Sequence, residues 1–162
     1  MTLQKKQNLW RECLTVALLI AAVAATEYFF FQLWRLDWHA PILYGGDGIY
    51  WVGQVQRSYG ELTGSLGWPF YQPPSPYDPN YDLIYDLFVA FVGLFTKDTG
   101  VVFNLYVLVI PFANALAGYT VFRMTGMRRW LSFAFGLTFG LCPYVQQRLA
   151  GHMMLAAVEF VP

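Results

Sequence analysis

Charged side chains are scarce in this chain. Ten basic and ten acidic residues among 162 cancel to zero at neutral pH, and together they make up 12% of the sequence. Soluble domains carry about 25%, so a water-facing globule is poorly supported. The lack of a basic excess removes a general polyanion-binding role, and no nucleic-acid partner is expected. Cysteine is equally sparse: Cys13 and Cys142 both sit at or in apolar segments, which excludes a disulfide framework or a cysteine-based zinc site and leaves small packing residues. No Gly-x-x-x-x-Gly-Lys phosphate loop, His-Glu-x-x-His or Gly-x-Ser-x-Gly occurs, and no Asn-x-Ser/Thr acceptor. There is no internal repeat and no low-complexity tail.

What the chain does have is long apolar runs and many aromatics. Leu14 to Trp34 is the first run, preceded by Lys5, Lys6 and Arg11. At ~1.5 Å per residue it is long enough to cross a ~30 Å hydrocarbon layer. A cleaved signal peptide is the rival reading, because Ala22-Val23-Ala24 resembles a cleavage site. The apolar run continues through Tyr28-Phe29-Phe30-Phe31 and further spans follow, which favours an uncleaved anchor. Glu27 interrupts the run, either facing a polar cavity or lying near the headgroups. Val101 to Phe122 reads as a second span and Trp130 to Val145 as a third.

Between those two lies the short basic stretch of residues 123–129, with three arginines. The positive-inside rule puts it in the cytoplasm with the N-terminus, residues 1–13. Residues 35–100 then form one long outer loop, and residues 146–162 return to the outer side. A fourth apolar stretch, Tyr81 to Phe95, is short and carries Asp82 and Asp86. If it crossed, the basic stretch would be forced outside, so it reads as a juxtamembrane helix. Trp10 and Trp130 would mark the inner interface, and Trp34, Trp38 and Trp51 the outer one. Ala17, Ala21 and Ala25, Ala113 and Ala117, and Gly136 and Gly140 recur at four-residue spacing, which lets helix backbones approach closely in lipid. The expected fold is therefore an all-α integral membrane protein of about three transmembrane helices, with two interfacial helices in the outer loop.

The first of those interfacial helices covers about residues 49–62, where Ile49, Val52, Val55, Tyr59 and Leu62 share one side. Asp47 stands just before it, between Gly46 and Gly48. The glycines permit unusual backbone angles and close approach of a ligand. A carboxylate there can orient or deprotonate a hydroxyl, or hold a divalent cation through oxygen. It can equally be the helix N-cap, and the two roles are compatible. Asp78, Asp82 and Asp86 are spaced by four, so on a helix they share a face that binds a cation or an acceptor, or is simply the wet face. Arg148 and His152, also four apart, follow Pro143-Tyr144 at the end of the third span. They suit a phosphate, or else Arg148 snorkels and His152 is hydrogen-bonded locally.

Gly46-Asp47-Gly48, Leu66-Gly67-Trp68-Pro69-Phe70, Asn104 and Pro111, Pro143-Tyr144, and Arg148 through Gly151-His152 to Pro162 occur in an order that resembles the start of the GT-C membrane glycosyltransferase superfamily. More narrowly, the chain resembles a group of bacterial membrane proteins of that type. The resemblance implies transfer of a sugar from a polyprenyl-phosphate-linked donor at the outer face of the bacterial inner membrane. It puts the acidic role of the first outer loop on Asp47 and donor-phosphate binding on Arg148. Where many members carry a second acidic motif, this chain has Gly151-His152, with Glu159 beyond. It also implies more spans than this chain has, and so an N-terminal portion whose remaining transmembrane helices lie in a missing C-terminal part. Two other readings stand beside it: a non-enzymatic component of lipid or polysaccharide export, and an inactive fragment.

Overall fold

The computed structural model describes residues 3–42, 83–143 and 145, and everything it describes is helix, turn or extended connection. Helix α1 covers Leu3–Phe30, α2 Leu83–Val92, α3 Thr99–Met124 and α4 Arg129–Leu141. These stretches are rich in leucine, valine, alanine and phenylalanine, and α3 runs on through Pro111. A helix satisfies every backbone group within its own segment, which is the requirement in hydrocarbon.

Two helices have spanning length and hydropathy, over Gln7–Phe30 and Thr99–Met124. At 1.5 Å per residue they are about 36 and 39 Å long. The sequence predicts three spans, but α4 has 13 residues, or about 20 Å, and falls short of the layer by itself. Cys142 follows it in an extended conformation. Of the two predicted interfacial helices, that of residues 49–62 lies outside the described residues. Within the other, residues 81–95, lies the ten-residue helix α2, which buries Val89 and Val92 against the bundle and ends in a turn at residues 93–95.

α1 and α3 run in opposite directions, and α4 folds back along α3. The connection between α3 and α4 is tight. Gly126 sits at φ +82°, its N–H bonds the Arg123 carbonyl, and the Met127 N–H bonds the Phe122 carbonyl. That pair of bonds is a Schellman close, and the left-handed residue it needs is the glycine. At the other end Asp98 caps α3, its Oδ1 accepting from the Val101 N–H at 3.0 Å. α1 ends at a left-handed residue too, but here it is Gln32, at φ 51°, a conformation that costs a non-glycine residue about 1 kcal/mol or more. A single 3-10 turn, Leu33–Arg35, follows.

Along α1, Thr15, Leu19, Val23 and Glu27 are buried. Their four-residue spacing makes one stripe, which faces the α3–α4 hairpin. Ala17, Ala21 and Ala25 point the other way and are exposed, so the predicted close-packing row on α1 meets no neighbour among the described residues. The glycine row does. A Cβ on Gly136 would come 2.9 Å from the Ala115 carbonyl oxygen, and one on Gly140 2.6 Å from that of Pro111. The missing side chains are what let α4 lie against α3. Leu19, Val23, Ala115 and Tyr119 form one buried cluster. Val89, Val92, Val102, Phe103, Tyr106, Val107, Ile110 and Val145 form a second, on the half of α3 nearer Asp98.

Candidate functional site

The five residues singled out from the sequence, Asp47, Asp78, Asp82, Arg148 and His152, all lie outside the described residues. Asp86 falls in α2, and its side chain is likewise not described. What is described is the frame from which the segments carrying Asp47 and Arg148 depart, and it lies at one end of the bundle, where α1 finishes and α3 begins.

That far end is organised by one amide. Asn104, fully buried in the second turn of α3, donates from Nδ2 to the carbonyls of Ala40 at 2.9 Å and Trp38 at 3.2 Å. Its Oδ1 accepts from the Ile42 N–H at 2.7 Å. Three backbone groups of the turn after α1 are thereby satisfied, as buried peptide groups must be. The turn also packs directly on the α3 backbone: a side chain on Gly100 would collide with the His39 carbonyl. Asp37 Oδ1 accepts from the His39 N–H, and His39 Nδ1 lies 2.6 Å from Asp98 Oδ2. The hydrogen bond to Asp98 raises the His39 pKa above 6.5, helped by the charges of Asp98 and Asp37. The same bond holds Asp98 below 3.8, with the backbone N–H of Val101 adding to it. The pair favours imidazolium and carboxylate together.

Ile42 and Cys142 pack against the second cluster, in which Val145 is fully buried. The chain thus leaves for Asp47 and for Arg148 from one apolar patch. Beside it lies an open depression of about 430 Å³ between the end of α1 and the turn, lined by residues that include Phe30, Phe31, Gln32, Arg35, Asp37 and Ile42. Arg35 forms no ion pair among the described residues. The walls are largely apolar and the polar lining is one guanidinium, one carboxylate and one amide, of Arg35, Asp37 and Gln32. No group of three or more metal-ligating side chains occurs among the described residues.

The near end, where α1 begins and α3 finishes, holds a charged network that the sequence did not announce. Glu12 Oε1 accepts from Arg123 at 2.7 Å and from Arg129 at 3.1 Å, and Glu12 Oε2 accepts from the Tyr119 hydroxyl at 2.5 Å. One carboxylate therefore ties α1 to both helices of the hairpin. The faint signal was a glutamate opening an otherwise apolar span. Asn104, a polar residue inside the next apolar span, was a similar signal. Arg35, His39 and Asp98 carried no pattern that would have picked them out.

No family model, curated protein or solved structure matches the chain.

Proposed function

We propose that the chain acts in a membrane glycosyltransferase that moves a sugar from a polyprenyl-phosphate donor to an acceptor at the outer face, with the Asn104 end as the working end. The observation that carries this is the clamped turn: Asn104 fixes Trp38, Ala40 and Ile42, five residues short of Asp47. Covalent geometry keeps Asp47 within about 18 Å of Ile42, and Arg148 within about 11 Å of Val145. Both anchors belong to the same apolar patch. The two segments thus start from one end of the bundle, which supports assigning Asp47 and Arg148 to a common site.

In this reading the acceptor hydroxyl oxygen attacks the anomeric carbon and its proton passes to Asp47. The bond from that carbon to the donor phosphate oxygen breaks, and Arg148 steadies the departing phosphate. Arg35, beside Asp37 in the depression, would be a second cation for that phosphate in this reading. Asp78, Asp82 and His152 would bind acceptor or donor around it, and any divalent cation would be held by aspartate oxygen.

The test is Asp47→Asn in the protein in its native membrane, assayed for transfer from a panel of polyprenyl-phosphate sugars. The variant inserts normally and loses transfer by at least about a hundredfold, the lower range for a lost general base. Normal transfer would remove Asp47 from the mechanism. Retention of polyprenyl phosphate with no transfer, even by the unmodified protein, would assign the chain to lipid export instead.

A further inference from the structure

We propose that the near end of the bundle is a seat for acidic phospholipid headgroups, formed by Arg11 in the third turn of α1 and Arg128 just before α4 and flanked by Trp10 and Trp130. The Glu12–Arg123 and Glu12–Arg129 bonds hold the third turn of α1 against the α3–α4 connection. Arg11 and Arg128 are the chain neighbours of the bonded residues, so the same bonds bring these two to one rim. Both are exposed, and neither enters an ion pair among the described residues.

The rim carries four guanidinium groups, of Arg11, Arg123, Arg128 and Arg129. The carboxylate of Glu12 engages two of them and is itself saturated by the Tyr119 hydroxyl. Arg11 and Arg128 are left to an outside anion. A guanidinium forks onto phosphate oxygens, and its long stem lies along apolar surface while the head reaches the headgroup layer.

Trp10 and Trp130 fix the depth. They are 69% and 65% exposed, and large indoles so displayed sit at the boundary between hydrocarbon and headgroups. Arg11 follows Trp10 directly and Arg128 stands two positions before Trp130, so both guanidinium groups lie near that level. A lipid phosphate is therefore the anion that geometry offers, rather than an ion from bulk water. The inference is independent of the glycosyltransferase reading, which concerns the opposite end.

The protein is purified in mixed micelles of equimolar phosphatidylglycerol and phosphatidylcholine, and the lipid retained is measured. Electrostatic attraction near a surface grows steeply with each basic residue, so phosphatidylglycerol is retained roughly tenfold over phosphatidylcholine. The double variant R11Q/R128Q, which leaves the Glu12 network intact, brings that ratio towards one with unchanged helix content. Lys97→Gln, removing an exposed charge at the far end, leaves the preference in place. A wild-type ratio near one, or a double variant that keeps the preference, would overturn the proposal. So would complete displacement of the lipid by excess inorganic phosphate but not by chloride of equal ionic strength, since that would mark a site for the free ion.

Discussion

Asn104 is the residue on which the far end depends. Its amide meets three backbone groups of the preceding turn; only a planar side-chain amide offers a donor pair and an acceptor together, and glutamine's stands one methylene further out. Asn104→Leu keeps the branching of the side chain and strips all three bonds. Leaving buried peptide groups unsatisfied costs about 1–3 kcal/mol. The expected result is a lower melting temperature in detergent and faster tryptic cleavage after Arg35, with helix content retained. Unaltered melting would mean that the turn is held by packing alone. His39 and Asp98 give the same turn a pH dependence. A raised histidine pKa means that the tie is complete below 6.5 and is lost as pH climbs through the raised value. A lowered aspartate pKa means that it is present above 3.8 and fails as pH falls through the depressed one. Titration of the His39 ring by NMR therefore gives a midpoint above 6.5, and Asp98→Asn returns it towards the ordinary value. The same midpoint in both would remove the pair from the account. None of this was legible in the sequence. His39 and Asp98 lie 59 positions apart, and only the antiparallel placement of α1 and α3 brings them together.

At the scale of helices, close approach is set by where side chains are absent. Gly136 and Gly140 sit against the carbonyls of Ala115 and Pro111, which is how two helices gain van der Waals contact where lipid offers no hydrophobic drive. Gly140→Leu forces α4 away from α3. Overpacking of this kind costs about 1–3 kcal/mol, so the melting temperature falls, while Ala21→Leu, on the exposed side of α1, leaves it within experimental error. Equal losses would mean that the alanine row is packed too. The glycine pair was readable because small residues four apart lie on one helix face. The alanine row has the same spacing yet faces outwards, so spacing marks a face without naming its neighbour. Local chemistry was a poor guide to helix ends as well. α1 begins at Leu3 and takes in Lys5, Lys6, Arg11 and Glu12, because the partners of Glu12 are on α3 and α4, more than a hundred positions away. α4 is regular to Leu141, and beyond the extended Cys142 the chain is helical again at Pro143 and Val145.

For the molecule as a whole, the two polar ends have opposite characters. At one end is a hydrogen-bonded platform built on Asn104, with exposed Trp34 and Trp38. At the other is a rim of arginines knotted by Glu12, with exposed Trp10 and Trp130. The sequence assigned Trp10 and Trp130 to one interface and Trp34, Trp38 and Trp51 to the other; the chain's reversals put the first pair at one end and Trp34 and Trp38 at the other, while Trp51 lies outside the described residues. What the sequence left open is the relation of Asp47 and Arg148 to one another, since the residues that fix their anchors, Ile42 and Val145, are ordinary apolar ones whose neighbours only the fold reveals. The proposed function depends on the Asn104 end facing outwards. Single cysteines at Lys97 and Thr125, both exposed, in a variant lacking Cys13 and Cys142, report this directly when intact cells are treated with a membrane-impermeant thiol reagent. Labelling at position 97 with protection at 125 is the predicted result. Labelling at 125 with protection at 97 would turn the bundle over and contradict the account.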